Sequence, residues 1–232
     1  PAGIAMDVNK GPLEKAQEHI REEKLGGKIA TRLGNGLAPL EPGETDTVII
    51  AGMGGDLICK ILKAKPEFLI EGKEFILQPQ SEWFKVRRLL KEYHYQIEKE
   101  WFLKEDGKYY VIIKAEPAWT QPQRLKHQQP SIHEYIKEIS ETPANQAVSE
   151  KDMESIYEQY GKYLIETKNP VLKEYLKKEI TKKESIAAEL KQSIKEMESE
   201  ELSGKERGNI AKRQRRYQEI QKEIRDMRKA IG

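Results

Sequence analysis

The sequence predicts an α/β domain built on a mostly parallel sheet that ends in an antiparallel hairpin, followed by a C-terminal pair of long helices. Three observations carry that expectation. From Pro1 to about Glu116, short apolar runs alternate with amphipathic stretches, the pattern of βαβ units. The last two runs of that half, Tyr95 to Leu103 and Lys108 to Ala115, are joined by Glu105-Asp106-Gly107 with no helix between them, a hairpin signal. After Pro170 no proline occurs, and apolar residues recur at alternating steps of four and three.

Taken in order, Gly3-Ile4-Ala5-Met6 is the first strand and ends at Asp7, after which Gly11-Pro12 opens a helix with Leu13, Ala16 and Ile20 on one face. Lys28 to Leu33 is a second strand, closed by Gly34-Asn35-Gly36. Thr47-Val48-Ile49-Ile50-Ala51 is β-branched and apolar on both faces, as a central parallel strand is, and it runs into Gly52-Met53-Gly54-Gly55. A helix carrying Leu57, Ile58, Ile61 and Leu62 follows, then Phe75-Ile76-Leu77 ending in Gln78-Pro79, then a helix from Ser81 to Tyr93.

Residues 1–116 form one expected domain, 117–147 with Pro117, Pro122 and Pro130 a linker, and 148–232 a helical domain. Within the last, Leu176, Ile180, Lys183, Ala187, Leu190, Ile194 and Met197 make one seam, and Ile210, Arg213, Tyr217, Ile220, Ile224, Met227 and Ile231 the other. Glu200 to Gly208 is the expected turn of an antiparallel coiled-coil hairpin, with Lys183 and Arg213 forming one polar layer.

Composition narrows the function classes. With 34% charged and 37% hydrophobic residues the chain suits a compact core with a charged helical extension. No apolar run approaches the ~18–20 residues of a membrane span. A single cysteine, Cys59, excludes an internal disulfide and a cysteine zinc cage, and with no basic-then-apolar leader a cytoplasmic location is expected. His19, His94, His127 and His133 show no ligand spacing, so no metal is expected, and Cys59 falls on the apolar side of its helix as a small hydrophobe rather than a nucleophile. Trp83, Trp101, Tyr109 and Tyr110 could stack on bases, although at least half of them belong to the core on this reading. The 41 Lys and Arg nearly balance 39 Asp and Glu, but Gly204 to Gly232 holds ten basic against four acidic residues, a local +6 that leaves −4 for the remainder. A basic terminal segment on a slightly acidic body suits polyanion binding.

Ligands of doubly wound sheets sit beyond the carboxyl ends of parallel strands. Four such ends are legible. Asp7 can take both ribose hydroxyls of an adenosine cofactor, and Asn35-Gly36 can pair an amide with an adenine edge while glycine admits close approach. Gly52, Gly54 and Gly55 permit positive φ and leave backbone groups uncovered around Met53, and Gln78-Pro79 sets an amide across the mouth. Each alone has a plain structural reading as a turn or cap, and neither GxxxxGK[ST] nor GxGxxG is present.

Ile50-Ala51-Gly52-Met53-Gly54-Gly55, Ile76-Leu77-Gln78-Pro79 and Glu105-Asp106-Gly107-Lys108-Tyr109-Tyr110 together resemble the TrmK family of bacterial tRNA (adenine-N1)-methyltransferases. The resemblance covers Gly3 to Glu116 by residue and the helical tail by architecture. It implies a Rossmann-like class I methyltransferase sheet plus a C-terminal coiled-coil hairpin, with S-adenosylmethionine as cofactor, tRNA as partner and adenine 22 as target. Asp7, standing for the family's usual glutamate, Asn35, Gly36, Gly52, Met53 and Gly54 would hold the cofactor. Ala51, Gly52 and Gln78 would position the base, with the two carbonyls and the Gln78 side chain accepting from its amino group. Gly55, Pro79, Lys85, Arg88, Lys212, Arg215 and Arg216 would meet the tRNA, and the protein would act as a monomer.

Two other classes remain open: a non-catalytic RNA-binding adaptor on a degenerate Rossmann domain, and a nicotinamide-dependent oxidoreductase. By the resemblance the chain begins at the family's second strand, and the missing first strand would lie between those ending at Asp7 and Ala51. Roughly 30–40 residues before Pro1 are therefore expected in the natural protein, by the length of a βαβ unit. N-terminal sequencing of the native protein checks this, and a start at Pro1 would refute it.

Overall fold

A computed structural model describes residues 3–41, 43–120, 147–198 and 204–232. The chain divides into two compact units, one of Pro1–Lys99 with Val111–Gln129 and one of Glu100–Tyr110 with Pro130–Gly232. Most of the expected linker, residues 121–146, lies outside the described residues, as do His127, His133 and the turn residues 199–203.

In the first unit β1 (Gly3–Asp7) pairs in parallel with β2 (Ile29–Leu33), and α1 (Lys10–Glu22) packs over them through Leu13. β3 (Thr47–Met53), β4 (Glu74–Pro79), β5 (Tyr95–Glu105) and β6 (Lys108–Pro117) form a second sheet in the order β3-β4-β6-β5. β3 and β4 run parallel, β4 and β6 antiparallel. The β5–β6 hairpin turns on Asp106 and Gly107, both at positive φ, as a two-residue turn matched to strand twist requires. The parallel strands and terminal hairpin that the sequence predicts are present, divided among the described residues between a parallel sheet and a mixed one.

The core lies on one face of the four-stranded sheet. Phe75 and Leu77 of β4 and Val111, Ile113 and Ala115 of β6 are buried beneath α2 (Gly55–Lys63), α3 (Pro66–Ile70) and α4 (Trp83–Glu92). Those helices contribute Ile58 and Leu62, Phe68 and Leu69, and Val86 and Leu90, all closed to solvent. Tyr95 ties the layer together, its hydroxyl donating to the Leu69 carbonyl at 3.2 Å and its ring 5.0 Å from that of Phe75.

Three expectations need correction here. β3 buries Val48 and Ile50 but leaves Ile49 68% exposed, because its ladder runs to β4 alone and its second face is uncovered among the described residues. Leu57 is exposed, since the stripe of α2 turned to the core is carried by Ile58, Ile61 and Leu62. Of the four aromatics none is fully buried. In the hairpin it is Phe102 that fills the core position, between Tyr109 and Tyr175.

The second unit is helical: α5 (Ala147–Tyr160), α6 (Lys162–Glu166), α7 (Pro170–Glu198) and α8 (Gly204–Ile231), with the outer hairpin. Gly161, at positive φ, breaks α5 from α6, and the Asn169 side chain caps α7 by accepting from Val171 N and Leu172 N at 3.0 Å. Leu172, Leu176, Ile180 and Ala187 of α7 are buried, as are Ile210, Ile220, Ile224 and Met227 of α8. The two helices pair within one chain as a helical hairpin, and α5 adds Ile156 and Tyr160 at the end away from the turn, beside the start of α7 and the end of α8. The expected single polar layer is two: Lys183 pairs with Glu223, while Arg213 is exposed and donates to the Ser193 hydroxyl, ten residues nearer the turn on each helix.

Hairpin and α7 are fastened by Glu174, which takes Lys104 at 2.7 Å, Lys178 at 2.9 Å and the Tyr109 hydroxyl at 3.2 Å. The bonds from Lys104, then Lys178, hold its carboxyl down at about 2. A depressed folded-state value means the contribution is whole above the unfolded carboxyl's range and is lost as pH falls toward 2. The group is solvent-screened, so the effect is small. Glu174→Gln should therefore reduce the loss of unfolding free energy between about pH 5 and pH 2, read by denaturant titration. Leu176→Ala, at a fully buried seam position, should cost about 2–5 kcal/mol at any pH in that experiment.

Candidate functional site

The carboxyl ends of β3 and β4 are assembled by a register break. Ala51 stands opposite Gln78 and Met53 opposite Pro79, so Gly52 is an extra residue on β3, bulged out at φ +78° and exposed. Its N–H donates to Gln78 Oε1 at 2.8 Å, and Gln80 N donates back to the Met53 carbonyl at 2.8 Å. Because Gly52 N–H needs an acceptor, the amide orientation of Gln78 is fixed, and Nε2 is the end left over. That atom is closed off and has no hydrogen-bond partner among the described residues. Gln78 thus offers a donor, where the sequence reading had it accept from the base.

Each glycine of the loop has its own reason. Gly52 alone has positive φ; Gly54 is extended at φ −64°, so the expectation of left-handed backbone there does not hold. Gly55 is buried, and a Cβ on it would lie 2.6 Å from the carbonyl oxygens of Ser81 and Glu82, while its N–H donates to Ser81 O at 2.9 Å. Gly55 and the buried Pro79, expected to touch substrate, are packing residues of the loop floor.

Facing the loop is a turn with no local signal in the sequence. Glu82 is left-handed at φ +51°, and Lys85 Nζ lies 3.1 Å from its Oε1 and 3.0 Å from Asp56 Oδ1. Lys85 lowers the carboxyls of Asp56, aided by Lys60, and of Glu82, and is itself raised by Asp56 and then Glu82. Lys85 is therefore an ion-paired strap between two loops rather than a free cation for RNA. Of its neighbours, Arg87 is 4% exposed and Arg88 is exposed with its guanidinium 5.6 Å from the Phe84 ring centre. Cys59 is half-buried and burial pushes its thiol up, which keeps it protonated and non-nucleophilic.

At the β1–β2 ends, Asp7 Oδ1 accepts from Asn9 N at 2.7 Å, the turn-forming role its position suggests, and its carbonyl accepts from Gly34 N at 2.9 Å. Asn35 is exposed. Gly36, at φ +55°, approaches α2 so closely that a Cβ would stand 2.8 Å from Ile61 Cγ2, which brings this loop against the helix opened by Gly55. Arg32 fastens the same loop, meeting both Glu44 oxygens at 2.6 Å and the Pro39 carbonyl at 2.9 Å. A carboxylate with one unused oxygen, an exposed amide, exposed bulge backbone and a closed-off amide donor fit the nucleoside portion of an adenosine cofactor or base.

Lys212, Arg215 and Arg216 are exposed on α8, but Arg216 is held by Glu219 at 3.1 Å and Glu223 at 3.4 Å. Sequence spacing missed that Arg207, Lys222 and Arg225 share the face of Lys212 and Arg215. At 100° per residue the five fall within an arc of about 140°, opposite the buried Ile220, Ile224 and Met227. All five are exposed, and none has a partner among the described residues.

Gly55→Ala should push the Ser81–Glu82 turn away and lower stability by about 1–3 kcal/mol, as overpacking against backbone does. Gly54→Ala meets the Ser81 hydroxyl at 3.2 Å and a Glu82 carboxylate oxygen at 3.7 Å, both side-chain atoms, and should cost less. Thermal unfolding of the pair checks the order; equal melting points would show that the loop floor yields freely.

The family model for TrmK, tRNA (adenine(22)-N(1))-methyltransferase, matches residues 1–144. A Bacillus subtilis tRNA (adenine(22)-N(1))-methyltransferase is 37% identical over 113 residues, 49% of this chain and 48% of its own length. A Mycoplasma pneumoniae relative is 36% identical over 127 residues, 55% and 58% of the two lengths. The aligned part thus spans about half the length of these curated relatives. Among solved structures, the B. subtilis m1A22 tRNA methyltransferase TrmK superposes with a TM-score of 0.68 at 24% identity, over 100% of this chain and 82% of that one. M. capricolum TrmK in complex with S-adenosyl-homocysteine gives 0.63 at 22%, over 99% and 80%. These superpositions establish the Rossmann-like methyltransferase fold with its helical C-terminal region, and with the family model matching more than half of its residues the chain belongs to the TrmK family.

Proposed function

We propose that the protein is an S-adenosylmethionine-dependent tRNA methyltransferase that modifies N1 of adenine 22, acting in the cytoplasm as a monomer. The observation that carries this reading is the Gln78–Gly52 pin, which holds an exposed backbone bulge beside a buried donor without a partner. Bound S-adenosylmethionine would supply a sulfonium methyl. The chain's residues then bind and orient. Asp7 takes the ribose hydroxyls with the oxygen its turn leaves unused, Asn35 and Gly36 border the adenine, and Met53 and Gly54 continue the wall.

Adenine N1 carries an in-plane lone pair and reaches a methyl carbon without prior deprotonation, so alignment is the main task and no strong base is required. The carbonyls of Ala51 and Gly52, on the exposed bulge, are suited to accept from the target's amino group, while Gln78 Nε2 donates to a ring nitrogen other than N1. Since N1 is occupied in a paired duplex, the adenine must be flipped or unpaired. The five cations of α8 track phosphates over about 27 Å, the rise of 18 residues.

Mass spectrometry of digested bulk tRNA with and without the gene tests the activity: loss of 1-methyladenosine is expected, and its persistence would instead favour an RNA-binding adaptor. Asp7→Asn keeps the turn acceptor while removing the charge. It should weaken S-adenosylmethionine about tenfold by calorimetry, the loss of a charge-assisted bond, and unchanged affinity would take Asp7 out of the site. Lys212→Glu with Arg215→Glu should weaken tRNA binding and flatten its log–log salt slope by about one to two units with cofactor affinity unaltered. A slope like that of the parent protein would move the RNA surface elsewhere.

A further inference from the structure

Gln78 lies half-buried near the end of β4, and the two ends of its amide have different fates. Oε1 takes the Gly52 N–H at 2.8 Å, while Nε2 is closed to solvent with no hydrogen-bond partner among the described residues. Turning the amide over would set Nε2 against the Gly52 N–H, donor against donor, so the orientation is held. Buried donors of native proteins are normally bonded, and one held in place without a partner marks a position for an acceptor from outside the chain.

Beside that donor stands an acceptor. Gln80 N takes the Met53 carbonyl and Pro79 has no N–H to give, so between Gln78 and Gln80 the strand supplies no backbone donor to the bulge. In a trans peptide the Ala51 carbonyl points opposite to the Gly52 N–H, hence away from Gln78, which makes the Gly52 carbonyl the one able to share an edge with Nε2. Gly52 is exposed, and a Cβ on it would meet no atom within 4 Å beyond its chain neighbours, so there is open space at the bulge. Adenine matches a neighbouring donor and acceptor on two edges, its amino group with N1 or its amino group with N7. N1 must stay free to take the methyl, and N3 has no donor next to it. That leaves N7. Glutamine commonly reads N7 and the amino group with both ends of its amide; here the oxygen is taken by Gly52, and a carbonyl of the same bulge stands in for it.

We propose that Gln78 is a specificity-determining residue that reads N7 of the target adenine, Nε2 donating to N7 while the Gly52 carbonyl accepts from the amino group and N1 is left facing the methyl donor. This rests on the adenine-methylation reading above and adds to it which edge of the base is held. Guanine carries an oxygen where adenine has its amino group, which would set acceptor against acceptor at Gly52, so the same pair rejects the other purine.

Steady-state methyl transfer by the product of the whole gene to two tRNAs, one with adenosine and one with 7-deazaadenosine at the modified position, tests this. Replacing N7 by C–H makes the ring more electron-rich, so N1 is no weaker a nucleophile and a slower reaction reports the lost contact. kcat/KM should fall about ten- to hundredfold, as when a buried donor loses its acceptor. Gln78→Glu keeps an oxygen for the Gly52 N–H but has no donor. It should be slowed on adenosine by a similar factor and treat the two RNAs alike, whereas an effect of the deaza base on RNA folding would persist in the variant. The comparison with the parent protein needs no variant and holds even where Gln78→Glu fails to fold. Equal kcat/KM of the parent protein on both RNAs, or an undiminished deaza penalty in Gln78→Glu, would overturn the proposal while leaving adenine methylation standing; no transfer to adenosine itself would overturn both.

Discussion

Parallel pairing of β3 with β4 puts Ala51 level with Gln78, and the arrangement of the candidate site follows from that register together with the one residue by which it slips. The slip ejects Gly52 from the ladder, and Gln78 Oε1 catches the N–H so freed. With the ends of the strands tied, the next residues of both chains converge until Gly55 lies against the Ser81 and Glu82 carbonyls, an approach closed to any residue with a Cβ. That contact in turn sets Glu82 in left-handed backbone, where its carboxylate meets Lys85, which also reaches back to Asp56. The sequence order of causes is thus a ladder slip, an amide pin, a glycine contact and an ionic strap. The ionic step is the weakest, being exposed to solvent, so the glycine contact and the amide pin bear the geometry.

In the helical unit the same economy of position governs charge. A heptad seam leaves most of α8 outside the interface, and the residues there divide by angle. Arg207, Lys212, Arg215, Lys222 and Arg225 point away from α7 with no counter-charge among the described residues, while Glu223 and Asp226 flank the seam beside Lys183 and Tyr160. A net-charge count over the segment averages these two faces into a single +6 and hides that one is cationic and the other anionic. On the proposed reading that division keeps a polyanion on the outer face without drawing it to the seam. The two polar layers, Lys183 with Glu223 and Arg213 with Ser193, hold the register of a pair whose apolar contacts alone would tolerate sliding by a heptad.

What could be read in advance was whatever depends on local pattern. Strand ends at Asp7, Leu33 and Pro79, that of β3 to within two residues, the two-residue hairpin turn and both helical seams were legible because period-two and heptad spacing belong to the chain itself. The need for glycine between Ala51 and Asp56 was legible too, but not which glycine serves which need, because Gly55 answers to carbonyls 26 and 27 residues away and Gly52 to an amide 26 residues away. For the same reason Lys85 looked like a free cation: its partner Asp56 is 29 residues distant. Gln78 was placed correctly as a residue, whereas its polarity could be assigned only once Gly52 N–H was seen to claim its oxygen.

β3 shows a place where composition and surroundings disagree. Val48, Ile49 and Ile50 are residues of an interior strand, yet Ile49 is exposed and one edge of β3 has no ladder partner among the described residues; β1 likewise pairs only with β2. Elsewhere in the unit, burial follows the alternation closely, with Phe75 and Leu77 of β4 inward and Gln78 at the margin. Within β3 the conflict falls on Ile49 while Val48 and Ile50 stay buried, and a mis-registered strand would turn its whole apolar set outward rather than one residue of it. The register that positions Ala51 against Gln78 is therefore secured from the β4 side, by the buried faces of Val48 and Ile50 and the pin at Gly52, and the bulge keeps its geometry independently of what covers Ile49.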